Sequence, residues 1–224
     1  MDTVPRGGLR AGLPYVVPFA LYMAFLAVQS RLPAQSLVWL YPLKAVAVAA
    51  ALVAFRRHYE ELAPRLSPLA IVTGALCIAL WVALDPFYPG LSRLTGGAPV
   101  APFDPAAIAD ATQRLGFLDF RVAGAVIVVP LTEELFWRGF LIRWLVKDDF
   151  KGVPVGRFTP LSFGVTVALF GVEHEQWLAG MICGALYNGL LYRTKNVTDC
   201  VVAHATSNAL LAAWVLARGD WKFW

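Results

Sequence analysis

The chain has 224 residues, of which 58% are hydrophobic and only 15% charged, and its mean hydropathy is +0.61. Soluble domains usually carry about 25% charged residues, so this composition excludes a soluble globular enzyme and fits one multi-pass membrane domain. The net charge of +4 does not argue for nucleic acid as a partner, because the basic residues fall at the ends of apolar runs, where membrane topology accounts for them.

Seven apolar segments follow one another, at roughly Leu13–Val28, Leu37–Phe55, Pro68–Leu84, Phe120–Val146, Phe158–Gly171, Trp177–Tyr192 and Thr198–Leu216. The expected fold is all-α, a polytopic transmembrane bundle of about seven spans around a membrane-embedded polar cavity. A full span needs about 20 residues, so the short fifth and sixth segments are expected to be tilted, kinked or partly re-entrant. Pro18, Pro42 and Pro130 predict kinks where neighbouring helices satisfy the freed backbone. No cleavable signal peptide, low-complexity tract or internal repeat is evident. Cys77, Cys183 and Cys200 lack CxxC spacing and read as buried small hydrophobes.

Lys44 falls inside the second segment, either snorkelling to an interface or pairing with an acid in the bundle. The stretch from Asp85 to Asp119 contains Pro86, Pro89, Pro99, Pro102 and Pro105 with Gly90, Gly96 and Gly97, which predicts an exposed irregular loop. Its second half, from Pro105, reads equally as an amphipathic surface helix or a plain linker. Arg6, Arg10, Arg56, Arg57, Arg65, Lys147, Lys151, Arg157, Arg193 and Lys195 would collect on one side, and Arg31, Arg93, Arg114, Arg218 and Lys222 on the other. That bias favours an inner N-terminus and an outer C-terminus.

Three polar clusters interrupt the apolar C-terminal half: Glu133-Glu134-LFW-Arg138, Phe170-GVE-His174 and His204-ATS-Asn208. A charged residue at a helix centre costs about 2.5–3.5 kcal/mol on insertion scales, and ionisable groups at membrane depth mark functional sites. At about 100° per residue, Glu134 and Arg138 are neighbours on one helical face, while Glu133 points away from it. Pairing of Arg138 with Glu134 leaves Glu133 free to face a cavity, where a carboxylate beside a His could act as general base on water. Taken singly, each cluster reads as structural: a Glu–Arg clasp, a packed His, an Asn joining helices. Taken together they favour chemistry.

Other intramembrane hydrolase designs fit less well. The HExxH pattern fails because Gln176, Trp177 and Leu178 follow Glu175 with no second His. Ser162 and Ser207 lack a GxSG turn, and Asp85, Asp119 and Asp199 lie at segment ends.

The three clusters resemble, in order and spacing, the EExxxR, FxxxH and HxxxN motifs of the CPBP (ABI) family, which includes the type II CAAX prenyl endopeptidases. The resemblance covers about residues 120–211. It implies a division into N-terminal helices and loop (1–118), a catalytic helical region (119–217) and a short tail (218–224). It also implies that Glu133 and His174 activate water, that His204 and Asn208 stabilise the oxyanion, and that Glu134, Arg138 and Phe170 support them. It implies no cofactor, with zinc on Glu133, His174 and His204 as the minority option. The implied partners are a protein or peptide substrate, prenylated or not, and the lipid bilayer. The implied location is a bacterial-type plasma membrane. A non-catalytic immunity or scaffold protein of the same fold and a proton-coupled transporter are the alternatives.

The segment boundaries carry a tension. They put His174 near the outer end of its segment, His204 about 9 Å into the last segment from the opposite side, and Glu133 about 20 Å into its own. These residues must meet if they form one site.

Overall fold

The computed structural model describes residues 9–63, 65–97 and 102–224. Arg6 of the inner-side count and Pro99 of the loop fall outside them. Among the described residues the fold is all-helical. Its main helices are α1 (Leu9–Gln29), α2 (Leu37–Phe55), α3 (Pro68–Leu84), α4 (Ala111–Trp144), α5 (Pro160–Val172), α6 (Trp177–Thr194) and α7 (Val197–Arg218). Five of these regions, α1 to α4 and α7, are long and apolar enough to cross a membrane. Their outer faces leave Trp39, Val53, Ile71 and Val72 exposed, the pattern of a multi-pass protein whose solvent is lipid.

α4 departs most from the sequence reading. It starts at Ala111, where the Asp110 carboxylate accepts from the Gln113 N–H at 2.7 Å and satisfies a first-turn donor. Residues from Ala111 are therefore neither a separate surface helix nor a linker. Asp119, expected at a segment end, lies inside the helix. At 34 residues α4 is about 50 Å long, well beyond the roughly 30 Å hydrocarbon thickness. Depth counted from Phe120 is therefore no guide to where Glu133 sits.

α5 departs in the other direction. Its 13 residues reach only about 20 Å, so it returns through residues 173–176 without the length of a full span. The return is braced by a one-turn helix, Leu91–Leu94. The Leu91 N–H donates to the Glu175 carbonyl at 2.9 Å, the Ser92 hydroxyl to Glu175 Oε1 at 2.6 Å, and Trp177 Nε1 to the Pro89 carbonyl at 3.1 Å. The α5–α6 hairpin thus carries His174 into the bundle at the depth of the other clusters, and the tension over depth disappears.

α3 and α7 pack closely, and Gly74 permits it. A Cβ there would meet the Ala203 carbonyl and the Thr206 side chain. The close approach lets the Ser207 hydroxyl donate to the Gly74 carbonyl at 3.0 Å. At the starts of the same two helices, Asp199 Oδ1 accepts from the Ser67 N–H at 2.8 Å. Gly74→Val should force α3 and α7 apart at a cost of about 1–3 kcal/mol, read as a lower unfolding temperature in detergent. Unchanged stability would show that the contact is not tight.

Candidate active site

α4 does not run through its polar stretch as a regular α-helix. Gly124–Val128 and Leu135–Leu141 adopt π-helical registers, a widening often found at functional sites. Pro130 lies between them, and it has no N–H to offer the preceding turn. The Ala125 carbonyl accepts instead from Asn208 Nδ2, at 2.7 Å. The kink expected at Pro130 is thus satisfied by α7, and the contact fixes Asn208 against α4. One Asn208 N–H remains for another acceptor.

Glu134 and Arg138 form the ion pair that the helical spacing predicts, with Arg138 Nη1 3.1 Å from Glu134 Oε1 and both side chains fully buried. Arg138 also donates through Nε to Asn188 Oδ1 and through Nη2 to the Gly184 carbonyl, both at 3.1 Å. Asn188 Nδ2 then reaches Thr166 Oγ1 at 2.9 Å. One guanidinium therefore joins α4 to α6 and, through Asn188, to α5. Its plane lies over the Phe170 ring, 4.6 Å from the centroid. The Phe170 ring centroid is in turn 5.0 Å from that of His174.

The same Glu134 oxygen accepts from His204 Nδ1 at 2.9 Å. This contact bridges 70 residues of sequence and is not legible from helical spacing. A carboxylate accepts, so Nδ1 carries the proton and Nε2 is the free ring nitrogen. The His204 ring stacks on Tyr187, with centroids 5.4 Å apart, and the Tyr187 hydroxyl is 2.7 Å from Ser207 Oγ. His174 is oriented the same way, because its Nδ1 lies 2.7 Å from the Phe170 carbonyl. That oxygen can only accept, so neutral His174 presents a lone pair on Nε2.

Glu133 makes no hydrogen bond or ion pair among the described residues, and its Oε2 is sealed from solvent. Together with His174, His204, Asn208 and Phe170 it lines a cavity of about 260 Å³. Residues from α4, the α5–α6 turn and α7 therefore converge on one space. Arg138 and Glu134 stay behind its wall.

Sequence reasoning missed two parts of this site. Glu173 is a half-buried residue whose carboxylate oxygens are sealed from solvent, close to Glu133 and Glu134 and beside the Trp137 indole N–H. Its charge beside His174 in an apolar run was the available signal. Lys44, expected to snorkel or pair with an acid, is buried and pairs with no acid among the described residues. Its side chain is 97% buried, it lines the same cavity, and its ammonium sits over the rings of Tyr22 and Tyr41 at 4.9 and 4.6 Å.

Fold and site together define a multi-pass helical membrane protein with a buried carboxylate–imidazole cavity. Residues 117–210 match the family model described as type II CAAX prenyl endopeptidase Rce1-like. The resemblance read from the three motifs is borne out over this stretch, which is similar to CAAX-protease-type membrane proteins. The match leaves residues 1–116, including Lys44 and Gly74, outside it. No curated protein and no solved structure matches the chain.

Proposed function

We propose that the protein is a membrane-embedded endopeptidase that hydrolyses a peptide bond with water activated by Glu133 and His174. The observation that carries this reading is the shared cavity, which Glu133, His174, His204 and Asn208 line from three separate segments. Glu133 is the general base: it lines the cavity and has no competing partner among the described residues. His174 Nε2 accepts from the same water and aims its oxygen at the substrate carbonyl. The water proton passes to Glu133 and then to the leaving amine as the C–N bond breaks.

His204 and Asn208 face the developing oxyanion, where loss of one donor typically costs about 10²–10³ in rate. His204 Nδ1 is committed to Glu134, so an Nε2–H donor requires the imidazolium, with Glu134 as its counter-charge. Glu134 and Arg138 are positioning residues in this mechanism.

A zinc-dependent variant fits the side chains less well. Both His leave Nε2 free, but among the described residues no three His, Cys, Asp or Glu side chains gather as metal ligands do. The proposed chemistry uses no metal. The substrate is a protein or peptide, prenylated or not, presented from the bilayer of a bacterial-type plasma membrane.

The test is hydrolysis of candidate peptides by purified protein in detergent or nanodiscs. His174→Ala is expected to lose activity by about 10²-fold or more while remaining folded, and wild type is expected to keep its activity after exhaustive chelation. Equal cleavage by wild type and His174→Ala overturns the mechanism.

A further inference from the structure

The bundle has a second cavity, of about 340 Å³, that shares no lining residue with the first. It lies where the starts of α3 and α7 meet the end of α6. Its volume falls within the roughly 300–1,000 Å³ of small-ligand pockets. Arg65, just before α3, and Arg193, in the last turn of α6, both line it, and neither forms an ion pair among the described residues. Both belong to the basic set that the charge bias assigns to the inner side.

Asp199 is the acid of the same cavity, and it is only 2% exposed. Its Oδ1 is taken by the Ser67 N–H, and its place in the first turn of α7 suits the helix dipole. Neither role uses the second oxygen, which has no hydrogen bond or ion pair among the described residues and is not sealed off as the Glu133 oxygen is. The Asn196 amide, also buried, fixes the near wall by donating to the Arg65 carbonyl at 2.8 Å. One carboxylate and two guanidinium groups therefore line one space without pairing with each other. A ligand that carries both an anion and a cation matches them. Guanidinium forks suit phosphate oxygens, and basic pockets between helices at the inner side bind lipid headgroups. The open carboxylate calls for an ammonium that can donate N–H.

The surroundings favour a lipid over a soluble phosphate ester. Leu66 and Leu69 line the cavity and are exposed. Leu69 begins a stripe with Val72 and Leu76, also exposed, and their spacing puts all three on one face of α3. The cavity thus continues into a surface whose solvent is the hydrocarbon of the bilayer.

We propose that this cavity binds the phosphoethanolamine headgroup of a membrane phospholipid, with the phosphate between Arg65 and Arg193, the ammonium on Asp199 and an acyl chain along the α3 stripe. A choline headgroup has no N–H to donate and a glycerol headgroup has no cation, so each leaves Asp199 unmatched. The bound lipid joins α3, α6 and α7. This is a binding property, independent of whether the protein hydrolyses peptides.

The experiment titrates delipidated protein in detergent with short-chain phosphatidylethanolamine, phosphatidylcholine and phosphatidylglycerol, and with soluble O-phosphoethanolamine. Native mass spectrometry counts the bound ligand. Phosphatidylethanolamine is expected to bind about 10- to 100-fold tighter than the other two lipids, the scale of a hydrogen bond between charged groups, and the soluble headgroup weakest of all. Asp199→Asn keeps an acceptor for the Ser67 N–H and brings the ethanolamine-to-glycerol ratio to about one or below. Arg193→Met, at an exposed position, weakens both of those lipids by about fivefold. Arg57→Met, exposed and outside the cavity, leaves both unchanged. Unfolding temperatures without lipid, equal to wild type, separate lost binding from lost folding.

Equal affinity for the three lipids in wild type overturns the proposal, as does an ethanolamine preference that survives Asp199→Asn. Tighter binding of phosphatidylglycerol also overturns it, by assigning the arginines to a purely anionic headgroup. Soluble O-phosphoethanolamine that binds as tightly as the lipid reassigns the cavity to a free phosphate ester. Loss of binding in Arg57→Met equal to that in Arg193→Met reduces the effect to general surface charge and overturns the site.

Discussion

Glu133→Gln is expected to lower peptide hydrolysis by about 10²–10⁴-fold, the usual contribution of a positioned general base, without lowering stability. The two effects separate because of how Glu133 is held. It has no hydrogen-bond or ion-pair partner to lose among the described residues, and its Oε2 is sealed away from solvent. Two further buried carboxylates, Glu134 and Glu173, stand close to it, with Arg138 as the cation in their midst. An amide keeps the shape and removes a desolvated, repelled acid, so unfolding in detergent should occur at the wild-type temperature or above it. Loss of activity together with a lower unfolding temperature would make Glu133 a structural residue. Retained activity would reassign the base, with Glu173 the next carboxylate to test.

The helical spacing predicted the Glu134–Arg138 pair because both residues belong to one turn, and one-turn geometry is local. Glu134–His204 was beyond it, since that contact depends on how α7 packs against α4. The close approach of α3 at Gly74 contributes to that packing, and nothing in the local sequence marks Gly74 as special. Pro130 announced a disturbed helix, but not the π registers on either side of it or the use of Asn208 to satisfy Ala125. These depend on a partner in another helix. The spans α2 and α3 could be bounded to the residue because both are apolar, Lys44 apart, between proline-rich or charged ends. The start of α4 could not, because its first turns are polar and follow a proline-rich loop. Hydropathy therefore cut α4 short and displaced Glu133 in depth. Lys44 was read by the habits of lysines near helix ends, whereas α2 holds it against a cavity that only the assembled bundle creates.

Arg138→Met is expected to be the most destabilising single change in the site. The guanidinium is fully buried and donates to Glu134, Asn188 and the Gly184 carbonyl. Removing one partner of a buried ion pair typically costs about 3–5 kcal/mol, because a charge is left uncompensated. That is a large share of the roughly 5–15 kcal/mol by which a domain is stable. The Asn188 and Gly184 oxygens also lose their donor, adding to the cost. Replacing both partners tests whether the uncompensated charge is the cause. Glu134→Gln with Arg138→Met removes the stranded carboxylate, so the double variant should be more stable than Arg138→Met alone. Its hydrolytic activity should nevertheless stay low, since His204 loses the carboxylate that orients it and balances its second proton. Thermal unfolding in detergent and peptide hydrolysis on the same three proteins, wild type included, read both effects. Wild-type stability in Arg138→Met would show that the bundle does not depend on the clasp. Full activity in the double variant would remove Glu134 from any role in positioning His204.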